Sequence, residues 1–295
     1  MPTYRMTVEY EGTRYHGWQE QKNARSVSGE LHRAARAAGA EVVEIGGSGR
    51  TDAGVHASAQ VAHLRLRAGV DPGRLRLAMN DALPPDVHVL SLEPAPDKFH
   101  ARHDAIRRTY VYQIARRRTA FAKRYVWWVK RALDARRMQE AAACLEGRHD
   151  FKLFCEAPSR QESTLVVVEE ALVVEDGGLL LLRFTASHFL WKMVRRVVGA
   201  LVKVGAGELS VAEFRQLVDG NPIPGMKDGT AAWTAPPSGL FLAKVAYRGD
   251  LPEGPVIRPV VPVAAEPATA RAPSEPERSS RDATPSGTRR RPPRR

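Results

Sequence analysis

The sequence predicts an α+β protein with mainly antiparallel sheets, and three observations carry that reading. Short stretches alternate apolar and polar residues at period two, as half-buried strands do. Other stretches repeat apolar residues three and four positions apart, as helices with one buried face do. Strand-like and helix-like stretches also come in two successive sets, the second beginning near Ile106. Each set can form a sheet with its helices laid over one face. No internal sequence repeat links the two sets.

In the first set, Tyr4, Met6, Val8 and Tyr10 alternate with polar residues and give a strand. Leu31, Ala34, Ala35 and Ala38 share one face of a helix over Gly29–Ala38. Strands follow at Glu41–Ile45 and Gln60–Leu66. Pro72 presets the backbone of a first helical turn and opens a short helix through Asn80. A strand at Val87–Leu92 closes this set.

In the second set, Tyr110, Tyr112 and Ile114 alternate along a strand. Asp134 is placed to cap a helix carrying Met138, Ala141, Ala142 and Leu145. Leu165–Val174 and Leu179–Thr185 read as strands, and Phe189–Val204 as a largely buried helix. Ser210 and Glu213 have the spacing of a capping box at the head of another helix. Leu240–Tyr247 returns as a strand.

The chain thus divides into halves 1–105 and 106–250 and a tail, 251–295. From Pro252 onward the tail holds 10 of the 21 prolines and no aromatic residue. Such a segment buries too little apolar area to offset its ordering entropy, so disorder is expected. Its removal is expected to leave the fold intact.

With 295 residues and 43% hydrophobic content, the chain has the makeup of a globular protein of two ordinary domains. No apolar run approaches the roughly 20 residues of a membrane span. The opening residues, Met1 to Thr7, lack a signal-peptide core. A cytoplasmic location without a membrane partner is expected. Cys144 and Cys155 suit a reducing compartment and have no metal-ligand spacing. The net charge of +12 favours a polyanionic partner, nucleic acid or an acidic membrane surface, over mere solubility charge. The tail carries +4 of it, leaving +8 on the remainder.

One run concentrates the chemistry: Gly46-Gly47-Ser48-Gly49-Arg50-Thr51-Asp52-Ala53-Gly54-Val55-His56-Ala57. Glycine serves where backbone bends sharply or lies close to something else. A nucleotide cradle would need a third glycine where Asp52 stands, and no Gly-Lys-Ser/Thr loop is present. A metal held by Asp52 and His56 would need further ligands, and no second His/Asp/Glu cluster has suitable spacing. No metal and no cofactor are expected, and His56 reads as a hydrogen-bonded residue of the loop.

Carboxylate chemistry without a cofactor remains. Burial raises a carboxylate's pKa and a nearby arginine lowers it, so a buried nucleophilic carboxylate needs a cationic partner. Arg50 is too close along the chain to be the obvious choice. Arg195, in Met193-Val194-Arg195-Arg196-Val197-Val198-Gly199, is a charge on an apolar helix, which is costly unless paired. Either Arg195 makes that pair or it points to solvent, a role open to Arg196 as well.

The glycine-rich run resembles the active-site loop of TruA-type tRNA pseudouridine synthases, whose nucleophilic aspartate falls on Asp52. A similar Met-Val-Arg helix in that family supplies the arginine that pairs with the aspartate, which places it on Arg195. Phe99-His100-Ala101-Arg102, followed by Arg107-Arg108-Thr109-Tyr110-Val111-Tyr112, is similar to a family pattern that places the substrate-binding tyrosine on Tyr110. Tyr15-His16-Gly17-Trp18-Gln19 and Ser238-Gly239-Leu240-Phe241-Leu242 are similar to the family's first loop and last strand. The resemblance covers nearly all of residues 4–248. One departure is Ser26-Val27-Ser28, where the family often has Ser-Val-Gln.

The resemblance implies two similar sheet-plus-helix halves, RRM/ferredoxin-like, with the active-site cleft between them. It implies a homodimer, with one tRNA lying across both subunits. It implies isomerisation of uridine to pseudouridine at positions 38, 39 and 40 of the tRNA anticodon stem-loop. The uridine must leave its stack first. Asp52 would then attack C1′, attack C6 or remove a sugar proton, three routes that stay open. Tyr110 offers a ring for stacking and a hydroxyl near C5, or is simply a core aromatic. Arg50 would help hold the loop or the flipped nucleotide, and Leu240 would line the pocket.

Arg14, Lys22, Arg25, Arg107, Arg108, the run Arg116–Arg118, Lys123 and Arg124 are candidates for the tRNA backbone. A noncatalytic RNA-binding protein on the same scaffold is the alternative, and it has no need to keep Asp52, Tyr110 and Arg195 together.

Overall fold

The alternating pattern of the first stretch closes into β1 (Thr3–Tyr10), with Tyr4, Met6, Val8 and Tyr10 all buried. A computed structural model describes residues 1–226, 229–250, 254 and 256–265. The first set continues with α1 (Val27–Ala37), β2 (Val42–Gly47), β3 (His56–Leu66), α2 (Pro72–Ala82) and β4 (Val87–Ala95). The second comprises β5 (Ala105–Ala115), β6 (Trp127–Trp128), α3 (Ala135–Ala143), β7 (Gly147–Asp150), β8 (Leu165–Asp176), β9 (Leu179–Ala186), α4 (Met193–Gly205), α5 (Val211–Val218) and β10 (Leu240–Tyr247).

The Asp134 cap and the Ser210/Glu213 box follow the sequence, and Asp71 caps the helix that Pro72 opens. Asp71 and Asp134 accept from the backbone N–H groups of Arg74 and Arg137, and Ser210 with Glu213 forms the reciprocal box at the head of α5. α4 starts four residues later than the apolar run suggests. Lys192 adopts a left-handed φ of +59°, which keeps Phe189–Lys192 out of the helix.

The two sets do not make separate sheets. The strands join in one ten-stranded, mostly antiparallel sheet, in the order β4-β1-β3-β10-β5-β9-β8-β7, with β2 on β3 and β6 on β5. The seam is β10. It runs antiparallel to β5 and parallel to β3, where Phe241 and Leu242 pair with His56 and Ala57. Buried residues from each of α1 to α5 pack into one apolar cluster with alternate residues of the sheet, including Tyr4, Met6, Leu64, Tyr112, Leu180 and Leu182. Among the described residues no helix is long and apolar enough to cross a membrane.

Residues 1–265 form one compact unit. The expected disordered tail therefore begins too early at 251. Residues 256–265 lie against the other face of β5 and β9, where Ile257 and Val263 join Val111, Ala115, Leu179 and Leu181. The physical reason lies in β9. Leu179-Leu180-Leu181-Leu182 is apolar on both faces of the strand, and the odd-numbered residues need cover. Residues 266–295, with the arginine-rich terminus, lie outside the described residues.

Candidate active site

The glycine-rich loop leaves the end of β2 and re-enters the sheet as β3 at His56. Aromatic rings lie directly against its first glycines. A Cβ at Gly46 would sit 2.3 Å from the His63 ring, and one at Gly47 would sit 2.5 Å from the Trp18 indole. Only glycine permits that approach.

Hydrogen bonds hold the rest of the loop. Ser48 Oγ donates to Gln60 Oε1 at 2.7 Å, and Gln60 Nε2 donates to the Gly49 carbonyl at 3.0 Å. The Tyr10 hydroxyl and Thr51 Oγ1 are bonded at 2.8 Å. The Trp18 N–H donates to the Thr51 carbonyl and the Gly54 N–H to the Tyr15 carbonyl, each at 3.2 Å. Asp52 is thus presented from a backbone tied on both sides, with its side chain 21% exposed.

Arg195 comes from the first turn of α4 and donates Nη1 to Asp52 Oδ2 at 3.1 Å. Its Nε donates to the Ala235 carbonyl at 2.7 Å, and the Ala235 N–H returns a bond to the Arg195 carbonyl at 3.0 Å. The segment carrying Ala235 reaches α4 because of Gly199, where a Cβ would lie 1.5 Å from the Trp233 carbonyl oxygen. The guanidinium is therefore held at a fixed place while it pairs with the carboxylate. Between the two roles open from sequence, Arg195 makes the pair. Arg196 does not face solvent either. It is buried, donates to the Cys155 carbonyl at 2.6 Å and pairs with Glu156.

Tyr110 is buried on β5, with the Phe189 ring packed edge-on at 5.0 Å. Burial pushes its hydroxyl well above the usual phenol range, and Tyr10 and the Asp52 charge push the same way. The phenol is therefore protonated at neutral pH and lies within electrostatic reach of the carboxylate. Asp52 and Arg195 pair directly, and the Asp52 charge acts on Tyr110 from nearby. Leu240 is the buried first residue of β10, opposite Tyr112 in the apolar core. Arg50 extends from the loop into solvent and has no ion pair among the described residues.

His56 has a structural place. The Gly12 N–H donates to its Nδ1 at 3.0 Å, which leaves the proton on Nε2 to donate to the Arg124 carbonyl at 3.0 Å. Its ring stacks on Phe241 at 4.8 Å, and burial lowers its pKa. Among the described residues no group of three or more His, Cys, Asp or Glu could hold a metal ion.

Several expected RNA-facing cations are engaged within the fold. Arg25 pairs with Glu30 at 2.5 Å, Arg107 with Glu169 at 3.0 Å and Arg116 with Glu175 at 2.6 Å. Arg108 is buried and bonded to carbonyls. Sequence alone does not mark the loop's supports, Tyr10, Trp18, Gln60 and His63. For Tyr10, Gln60 and His63 the available signal is a polar or aromatic residue at a position that the strand pattern buries.

A family model described as tRNA pseudouridine synthase matches residues 6–104 and 141–248, which carry Asp52 and Arg195. This chain belongs to the tRNA pseudouridine synthase family. Tyr110 falls between the two matched stretches.

Among synthases of this family, the chain is similar to tRNA pseudouridine synthase A of Rhodopseudomonas palustris (strain BisA53). The two are 41% identical over 250 residues, covering 84% of this chain and 100% of that one. The same-named protein of Beijerinckia indica subsp. indica is 43% identical over 250 residues, covering 84% of this chain and 94% of its own. That of Agrobacterium fabrum (strain C58) is 39% identical over 258 residues, covering 85% and 95%.

Proposed function

We propose that this chain converts uridine to pseudouridine in tRNA, at positions 38, 39 and 40 of the anticodon stem-loop, with Asp52 as the nucleophile. Family membership supports the isomerisation. The observation that carries the residue assignment is the 3.1 Å ion pair between Asp52 and Arg195, made between two segments distant in sequence.

The reaction breaks the N1–C1′ bond and forms a C5–C1′ bond. C5 loses a proton and N1 gains one, so no oxidant, reductant or phosphoryl donor is consumed. The ribose or uracil ring must meet a carboxylate that stays ionised in a partly buried place, and Arg195 supplies the compensating charge. Asp52 acts at C1′, at C6 or on a sugar proton, and each route starts from that ionised carboxylate. Tyr110 offers its ring to the extruded base and its protonated hydroxyl near C5. Arg50, the solvent-facing cation of the loop, holds the flipped nucleotide, and Leu240 closes the apolar side of the pocket.

The two halves, 1–105 and 106–250, flank the cleft, one bringing Asp52 and the other Tyr110 and Arg195. The working form is a cytoplasmic homodimer with one tRNA lying across both subunits.

The test is tritium release from tRNA labelled at uridine C5. Wild type is expected to release tritium, in the presence of EDTA as well. Asp52→Asn is expected to release none while binding tRNA within a few-fold of wild type, because the change removes charge but little volume. Substantial turnover by Asp52→Asn would rule Asp52 out as the nucleophile. No release by wild type, with tight tRNA binding, would establish the noncatalytic RNA-binding reading instead.

A further inference from the structure

Arg108 lies on β5, two residues before Tyr110, and is 9% exposed. Its guanidinium donates four hydrogen bonds, all to backbone carbonyls. Nη2 reaches Ser48 at 2.9 Å and Arg102 at 2.7 Å; Nη1 reaches Ala105 at 3.1 Å and Ser187 at 3.0 Å. Those oxygens belong to the loop that presents Asp52, the segment entering β5, the start of β5 and the residue after β9. Among the described residues no carboxylate pairs with Arg108.

A buried cation without a counter-ion is costly, so a merely structural clamp here would be better made of neutral groups. What the guanidinium does differently is geometric. Its planar fork satisfies four acceptors from separate segments at once, which an ammonium cannot reproduce. One of the four is Ser48, whose other polar groups are also fixed: its N–H donates to the Val61 carbonyl at 2.8 Å and its Oγ to Gln60. Ser48 lies four residues before Asp52. Arg108 and Tyr110 project from the same face of β5.

We infer that Arg108 is a positioning residue of the reaction, whose guanidinium ties the entry of the Asp52 loop to the strand bearing Tyr110 and so sets the spacing of carboxylate and phenol. This rests on the reading of Asp52 and Tyr110 as the groups that meet the uridine. Arg108 itself touches no reacting atom. A small misplacement of a reacting group costs on the order of a hundredfold in rate, so the loss should fall on the chemical step rather than on tRNA binding.

The test uses the full chain, with Arg108→Lys and Arg108→Ala compared by single-turnover tritium release, tRNA binding and thermal melting. Arg108→Lys keeps the charge and is expected to lose at least about tenfold in single-turnover rate, with the tRNA dissociation constant within about threefold of wild type. Arg108→Ala is expected to regain part of its rate in millimolar guanidinium chloride but not in sodium chloride of equal strength, and Asp52→Asn is expected to regain none.

A wild-type rate in Arg108→Lys overturns the proposal. So does a deficit that disappears on assaying further below the variant's melting temperature, since that marks a purely structural role. If Arg108→Ala does not fold, Arg108→Lys with a native circular dichroism spectrum decides alone. Absence of tritium release by wild type would instead sink the functional reading of the site.

Discussion

One face of the central sheet lies under α1 to α5; the other face of β5 and β9 lies under described residues with no regular structure. Both arrangements bury leucines and valines of the same strands. They differ in how the cover meets its own backbone polarity. A helix satisfies its N–H and C=O groups internally and needs only an apolar stripe toward the sheet. An irregular segment must find partners for them, and here the sheet supplies them from buried polar side chains.

Gln113 is fully buried on β5. Its Oε1 accepts from the Val260 N–H at 2.7 Å and the Val261 N–H at 3.3 Å, and its Nε2 donates to the Tyr125 carbonyl at 2.9 Å. Arg183 on β9 pairs with Glu170 at 2.7 Å and donates to the Gly254 carbonyl at 3.0 Å. The same device recurs on β3, where His63 Nδ1 accepts from the Ala101 N–H at 3.2 Å. A polar residue inside a strand that otherwise reads as core marks a place where irregular chain docks.

The sharpest way to break this comparison is to remove the irregular cover. Ending the chain after Asp250 should expose Val111, Leu179 and Leu181 and leave Gln113 Oε1 without the Val260 and Val261 N–H groups. The expected loss is about 3 kcal/mol, or about 6 °C in melting temperature. Ending it after Ala265 should leave the melting temperature within about 1 °C. Equal behaviour of the two truncations would show that residues 256–265 add nothing to the fold.

A smaller effect is expected from Gln113→Leu, which keeps the volume but strands two backbone donors. It should cost about 2 kcal/mol in chemical denaturation. Leu31→Met on the helix-covered face should cost less than about 1.5 kcal/mol. If both substitutions cost the same, the two faces do not differ in the way described.

The smallest effect is a pH dependence from the buried histidines. Burial lowers the pKa of His63 and of His56 below the ordinary value of 6.5. The unfolded chain then takes up these protons first. The stabilisation is complete above pH 6.5 and is lost as the pH falls through the lowered folded-state values. Glu44, His100 and Arg65 are the charged or titratable groups acting on His63. A fall in stability of about 1 kcal/mol between pH 7.5 and pH 5 is expected, and His63→Gln should flatten part of it. A curve that His63→Gln leaves unchanged would assign the dependence to other groups.

Most of the fold's elements were legible because local spacing encodes them. Alternation marks β1 and β5, and Pro72, Asp134 and Ser210 mark helix starts. Boundaries slipped where the local pattern misleads. The apolar Phe189 looks helical, yet it turns away from α4 to pack on Tyr110. β3 begins at His56 rather than Gln60, because His56-Ala57-Ser58-Ala59 carries no clear alternation.

The sequence by itself determined the α+β class, the glycine-rich loop with its single carboxylate, and the candidacy of Arg195 as a charge stranded on an apolar helix. Glycine frequency, apolar period and the cost of an unpaired charge are properties of the chain alone. Tertiary structure decided the rest. It joined two expected sheets into one through β10, gave the pair to Arg195 while burying Arg196 against Glu156, drew Arg108 inside, and laid residues 256–265 over the second face of β9. The physical reason is common to all of these. Each depends on which distant segment arrives to satisfy a buried group, and local spacing carries no record of that arrival.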